Sequence, residues 1–232
     1  MKKLLIICSI SILLSSCIGV SGSGNITTEN RPVSNFDGIS ASSSIDVEVT
    51  IGSTYNVTVE ADDNVQHYVE TNVQNGLLKI GFSHVTNLHN YHVKVLVTAP
   101  LLKKISASSS ASIMVNDVIK VEDKIIFNAS SSADIEASVE APYIEADANS
   151  SATITLKGKT KNFKAEASSS ANLECAELLS ETTNASAHSS GTAHVHASVS
   201  LDAHASSSGD VKYRGGASVK QTVSSSGSVE KE

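Results

Sequence analysis

The sequence predicts an all-β chain: a single-stranded parallel β-helix (solenoid) of about 18–22 residues per coil, preceded by a less regular, strand-rich N-terminal head. Two observations carry this expectation. The first is a repeat in which a Ser-Ser pair is followed by Ala or Gly, starting at Ser109, Ser131, Ser150, Ser169, Ser189, Ser207 and Ser225. The small residues that follow (Ala111, Ala133, Ala152, Ala171, Gly191, Gly209, Gly227) are 22, 19, 19, 20, 18 and 18 residues apart. The second is alternation within every repeat, apolar and polar residues exchanging with period two, which is the signature of a strand. Aromatic residues make up only 4% of the chain and Trp is absent, so the core has to be built from small and β-branched side chains.

The segments follow in order. Residues 1–16 read as a lipoprotein signal peptide, with Lys2 and Lys3 ahead of a short apolar stretch that is not long enough to span a bilayer. Leu14-Ser15-Ser16-Cys17 resembles a bacterial lipobox, so Cys17 is the expected lipidation site and the membrane an expected partner through that anchor. Residues 17–28, Gly- and Ser-rich around Ser21-Gly22-Ser23-Gly24, read as a flexible tether. Residues 29–232 form the folded part, an irregular head over 29–100 and regular coils over 101–232. In the head, Val65, Tyr68 and Val69 have helical spacing, and Asn75-Gly76 signals a tight turn. Ala41-Ser42-Ser43-Ser44-Ile45 reads as an early copy of the repeat.

Aligned on the small residue, the coils show apolar columns two positions on (Ile113, Ile135, Ile154, Leu173, Ala193, Val211, Val229) and four positions on (Val115, Ala137, Leu156, Cys175, Val195). Columns four and eight positions earlier hold Ala107 to Ala205 and Ile125 to Val219, with Lys103 as a misfit. Continued through the Ser pairs, the alternation places the first Ser inward, its hydroxyl bonded along the stack, and the second outward. Gln221 and Lys231 fall in otherwise apolar columns of the last coil, as expected of a polar cap on an open edge.

Loss of residues 1–16 removes two Lys, so the charge becomes 15 minus 24, or −9. That balance argues against nucleic acid as a partner. Cys175 is then the one free thiol, in an inward column, and reads as core. The outward columns hold the candidate binding residues Asp134, Glu136, Asn172, Glu174, His194, His196, Lys212 and Arg214. His188, His194, His196 and His204 invite a metal hypothesis, but they fall in different columns and no metal or cofactor is assigned. Ser recurs in every coil without one base and one orienting group, which is a structural ladder and not a nucleophile. No catalytic residue is assigned.

The run Gly22-Ser23-Gly24-Asn25, Phe36-Asp37-Gly38-Ile39, Ile45-Asp46-Val47-Glu48-Val49, Ala61-Asp62-Asp63-Asn64 and Asn75-Gly76-Leu77-Leu78-Lys79-Ile80 resembles the head GIN domain family of putative autotransporter adhesins. The Ser-Ser-Ala/Gly coils resemble it as well. The resemblance implies a small β-helical lipoprotein or secreted protein of a Bacteroidota-like bacterium. The resulting expectation is a non-enzymatic lipoprotein of the cell envelope, lipid-anchored at the outer membrane, that presents a polar β-helix face to a glycan or protein. Two rivals are a polysaccharide-processing β-helix enzyme and a purely structural envelope protein.

Overall fold

The structure is a computed structural model that describes residues 19–83 and 87–232. Cys17 and the segment 1–16 lie outside the described residues. The predicted solenoid is present: two long parallel sheets are built from successive coils whose strands pair in register. One sheet stacks Gly38–Ala41, Lys104–Ala107, Lys124–Ala129, the second half of Asp134–Ala148, the second half of Thr153–Ser168, Leu178–His188, Ser200–Ser206 and Ser218–Val223. The other stacks Asp46–Ile51, Ser112–Lys120, the first halves of those two long strands, Asn172–Glu174, Thr192–His196, Asp210–Arg214 and Ser228–Lys231. The register reproduces the sequence columns, for example Ile125↔Ile144↔Phe163↔Thr183↔Leu201↔Val219. Burial follows the same period, with Ile135, Ile154, Leu173 and Val211 at 0–1% exposure. Each such side chain contributes roughly 1.5–3 kcal/mol on burial.

The head is the start of the same stack, closed at its outer end by antiparallel strands. Gly38–Ala41 and Asp46–Ile51 pair parallel with the first regular coil, so the early copy of the repeat is the first turn of the solenoid. Between them and that coil the chain inserts its cap. Val69–Gln74 and Leu77–Phe82 form a hairpin on the left-handed pair Asn75 (φ 52°) and Gly76 (φ 76°), while Asn56–Asp62 runs antiparallel to both Val93–Ala99 and Ile26–Asn30. The helical spacing at Val65 to Val69 becomes one 3₁₀ turn, Gln66–Tyr68. Gln66 is buried there and donates Nε2 to the carbonyls of Val59 (2.9 Å) and Thr27 (3.3 Å).

The Ser pairs depart from the expected geometry. In all eight pairs, from Ser43-Ser44 to Ser225-Ser226, both residues have φ between 47° and 67°. Each regular pair forms the two central positions of a tight turn closed by a backbone bond such as Ala111 N to Ser108 O (3.1 Å). Two successive left-handed residues end the alternation, so both side chains of each regular pair are exposed and neither points inward. The ladder along the stack is made by backbone: Ser110 N donates to Ser131 O (2.9 Å), Ser132 N to Ser150 O (2.9 Å), Ser151 N to Ser169 O (3.0 Å), and so on to Ser208 N and Ser225 O. A left-handed residue costs roughly 1–2 kcal/mol. Two extra bonds per turn, each worth about 1 kcal/mol net, offset much of that.

The tether expected over 17–28 is also corrected. From Gly19 on, the chain is held against the head: Val20–Ser21 pairs with Leu88–His89, and Ile26–Asn30 is a strand. Between them Ser23 N donates to Asn64 Oδ1 (3.0 Å), Ser23 Oγ to Asp63 Oδ1 (2.6 Å), Asn25 Nδ2 to Asp63 Oδ2 (2.9 Å), and Asn64 Nδ2 to Ser21 O (2.8 Å). Small residues at 22–25 thus serve a close approach, since a Cβ on Gly22 would lie 2.5 Å from Asp62 Oδ2.

Candidate binding face

Alternation turns every second side chain of the Asp46–Ile51 sheet outward, and the parallel register lines these up in columns one coil apart, about 4.8 Å. One column runs Asp134, Thr153, Asn172, Thr192, Asp210, Ser228. The next runs Glu136, Thr155, Glu174, His194, Lys212, Glu230. Six of the eight candidates (Asp134, Glu136, Asn172, Glu174, His194, Lys212) therefore stand on one flat sheet face, and Glu174, His194 and Lys212 occupy consecutive coils. Arg214 pairs in register with His196 at the end of that sheet.

At the far end of the face the charges converge. Glu232 bridges His194 Nδ1 and Arg214 Nε, each at 3.0 Å, across a shallow pocket of about 370 Å³ that Thr155, Lys157 and Glu174 also line. Glu232 went unrecognised in the sequence because it lies at the end of the last coil, where no column flags it. His196 does not join this group although it is two residues from His194. It sits at the corner, with Nδ1 3.3 Å from the backbone of Ser180, and lines a separate groove of about 620 Å³ with Pro142, Thr160, Leu179, Ser180 and Ser198. Ser180 is buried in its floor, and its hydroxyl lies 2.6 Å from that of the buried Thr183. One of the two hydroxyls donates to the other, which in turn donates to the His196 carbonyl. Leu179, 56% exposed, stands on the wall of this groove as an apolar residue in an outward position.

The four histidines do not converge. His188 is exposed beyond the flat face, and His204 lies 3.3 Å from Asp202 on the other sheet. Among the described residues no group of three or more His, Cys, Asp or Glu is placed to hold a metal ion. Glu136 and Lys212 stand four coil steps, or about 19 Å, apart on this face, whereas Lys157, Glu174, His194 and Arg214 share one pocket with Glu232.

Cys175 is fully buried in its inward column, and burial pushes its thiol up to about 12. A thiolate is therefore scarce at neutral pH. A soluble disulfide reagent at pH 8 is expected to leave Cys175 unmodified in the native protein and to react with it fully in urea. Rapid native modification would place the thiol at the surface.

A family model described as "Putative auto-transporter adhesin, head GIN domain" matches residues 35–217. Among solved structures the chain is similar to a putative adhesin from Bacteroides fragilis NCTC 9343 (18% identity, TM-score 0.84). It is also similar to a putative lipid binding protein from Parabacteroides distasonis ATCC 8503 (21%, 0.78) and a putative adhesin from Parabacteroides merdae ATCC 43184 (22%, 0.70). In each case 92% of this chain and 99% of the other chain are covered. At these identities the likeness concerns the fold alone. No curated protein matches the chain.

Proposed function

The chain belongs to the head GIN domain family of putative auto-transporter adhesins, and from that premise we propose that it is a non-enzymatic lipoprotein of the cell envelope, anchored at the outer membrane through acylated Cys17, whose flat polar sheet face binds a glycan or protein. Membership of an adhesin family supports a binding role at the cell surface. The observation that carries the finer reading is the outward register: Asn172 with Thr153 and Thr192, beside Glu174, His194 and Lys212, offers hydrogen-bonding groups at equal steps on a rigid sheet. An extended array of this kind suits a long ligand held by many weak contacts. Where acid and base groups do meet, Glu232 is bonded to His194 and to Arg214 at 3.0 Å each, whereas hydrolysis needs an acid and a base left free to act on one bond.

The test presents the exported chain to an array of bacterial and host polysaccharides and matrix proteins, reading both retention and chain shortening. Retention without shortening is expected, and it is expected to be lost in the triple variant Asn172→Ala, His194→Ala, Lys212→Ala. These side chains are at the surface, so the variant should keep its unfolding free energy, read from a urea titration, within about 1 kcal/mol of the parent. Shortened glycan would establish an enzyme, and retention that survives the triple change would move the binding site elsewhere.

A further inference from the structure

We propose that the head stands directly on the bilayer with no spacer, so that the far coils, and not the head, are the end presented to a partner. This rests on the reading of Cys17 as the acylated residue. Ile18 is the one residue between Cys17 and Gly19. Beyond Gly19 the chain is already fastened: Val20 N donates to Asn87 O (2.8 Å), Gly22 N to His89 O (3.2 Å), and Gly24 N to Asp62 Oδ1 (2.6 Å). Two residues reach about 7 Å when fully extended. An acylated Cys17 therefore holds the edge formed by Val20–Ser21 and Leu88–His89 at the level of the lipid headgroups.

The strand order says which end of the molecule this is. From Asn56–Asp62, whose last residue grips the N-terminal segment, nine strand-to-strand steps lead through Val93–Ala99 and Asp46–Ile51 to Ser228–Lys231. At about 4.8 Å per step the two ends are about 43 Å apart. The anchor is thus at one end of the rod, and the Glu174, His194, Arg214 and Glu232 cluster is at the other.

Among the described residues, the one large apolar side chain exposed next to Asp62 is Ile26, at the head itself, and the turns along the rod add nothing comparable to pull it down onto the membrane. The register Asp46↔Lys94↔Glu60 puts Asp62 on the side of the rod where the Ser-Ser turns stack. Those turns present neutral hydroxyls from Ser109-Ser110 to Ser225-Ser226, with neither an apolar wedge nor a cation among them. Peripheral binding to a bilayer surface draws on one or the other. The net charge of −9 left after removal of residues 1–16 (15 minus 24) opposes contact with anionic lipid.

The experiment uses the full chain, exported and acylated by a bacterial host and placed in phosphatidylcholine vesicles that carry a headgroup nitroxide lipid. A fluorophore is attached at His89→Cys or at Glu230→Cys, both exposed, while buried Cys175 stays unlabelled. Quenching is expected to be several-fold stronger at position 89 than at 230. A Gly/Ser insert of about six residues after Ile18, with a reach of about 13 Å, is expected to relieve it. Equal quenching at the two positions, with acyl chains on Cys17 confirmed by mass, overturns the upright rod and leaves the lipoprotein reading intact. Weak quenching at 89 with Cys17 acylated shows that a spacer exists and overturns the flush head. An unmodified Cys17 in the exported protein overturns the anchor, and this inference with it.

Discussion

Replacing Gly158 with alanine is expected to destabilise the protein by about 3 kcal/mol, a larger effect than most single methyl additions to a β protein. Gly158 has φ 119°, in a region that L residues rarely adopt, and it bends the chain where one sheet gives way to the next. A Cβ there would lie 2.2 Å from Val139 O and 3.1 Å from Val139 N, both backbone atoms of the preceding coil. Backbone cannot rotate aside as a flexible side chain would, and Gly158 N is itself committed to Glu177 O at 3.2 Å. Dihedral strain of roughly 1–3 kcal/mol and overpacking of similar size act together. The check is a urea titration in which the midpoint falls while the slope stays constant. Ser132→Gly is the control: its φ is 59° and its side chain is exposed, so its unfolding free energy should change by less than about 1 kcal/mol. If Gly158→Ala unfolds at the parental midpoint, the coils are loose enough to part, and the close stacking described above is wrong.

The contrast between Gly158 and Ser132 also shows where the sequence could be read and where it could not. Period two and the spacing of the Ser pairs located the coils and their apolar columns, because a parallel stack brings like positions together in every coil. The orientation of the Ser pairs was lost because alternation was carried through a turn in which two left-handed residues suspend it. Ser tolerates that backbone less well than the usual Asn-Gly, so composition did not flag it. The interval of 66 residues between the first copy of the repeat and Ala111 was legible as strands, but alternation looks the same in parallel and antiparallel pairs. Its role as an antiparallel cap emerges only from the pairing of Asn56–Asp62 with Val93–Ala99.

For the candidate face, period two sufficed to name Asn172, Glu174, His194 and Lys212 as outward neighbours, since register follows once the coils are aligned. It did not separate His196 from His194. Coils of 18–22 residues place the corner at slightly different points, and the corner decides which side chain leaves the sheet. Glu232 closes on His194 from 38 residues away, a contact between coils that no local pattern encodes. Gly22-Ser23-Gly24-Asn25 gave the most misleading signal. Small flexible residues look alike whether they form a linker or are chosen because a carboxylate presses against them.

That carboxylate supplies the second large effect. Asp62→Ala is expected to cost about 3 kcal/mol, because Asp62 is 2% exposed and its two oxygens accept from Gly24 N at 2.6 Å and His92 N at 2.7 Å. Removing the acceptor strands two backbone donors and opens space beside Gly22. The loss should be local before it is global, with hydrogen exchange accelerating at Gly24 and His92 and protease cutting within residues 19–25 while the coils stay protected. Asp62→Asn keeps one oxygen acceptor and should fall between alanine and the parent. The neighbouring Asp63 gives the same clamp a pH dependence. Hydrogen bonds from Ser23 and Asn25 hold its carboxyl below the usual carboxylate range, so its contribution is complete at neutral pH and is lost as the pH falls through that lowered value. Unchanged protection at Gly24 in Asp62→Ala would mean that the segment is held without Asp62, by its pairing with Leu88–His89 and by the bonds among Ser21, Ser23, Asn25, Asp63 and Asn64. If protection is lost, the same substitution converts residues 19–25 into the tether their composition implies. In vesicles it should then relieve the quenching at His89 much as an inserted spacer does. A stability change and a change in height above the bilayer would thus trace to one side chain.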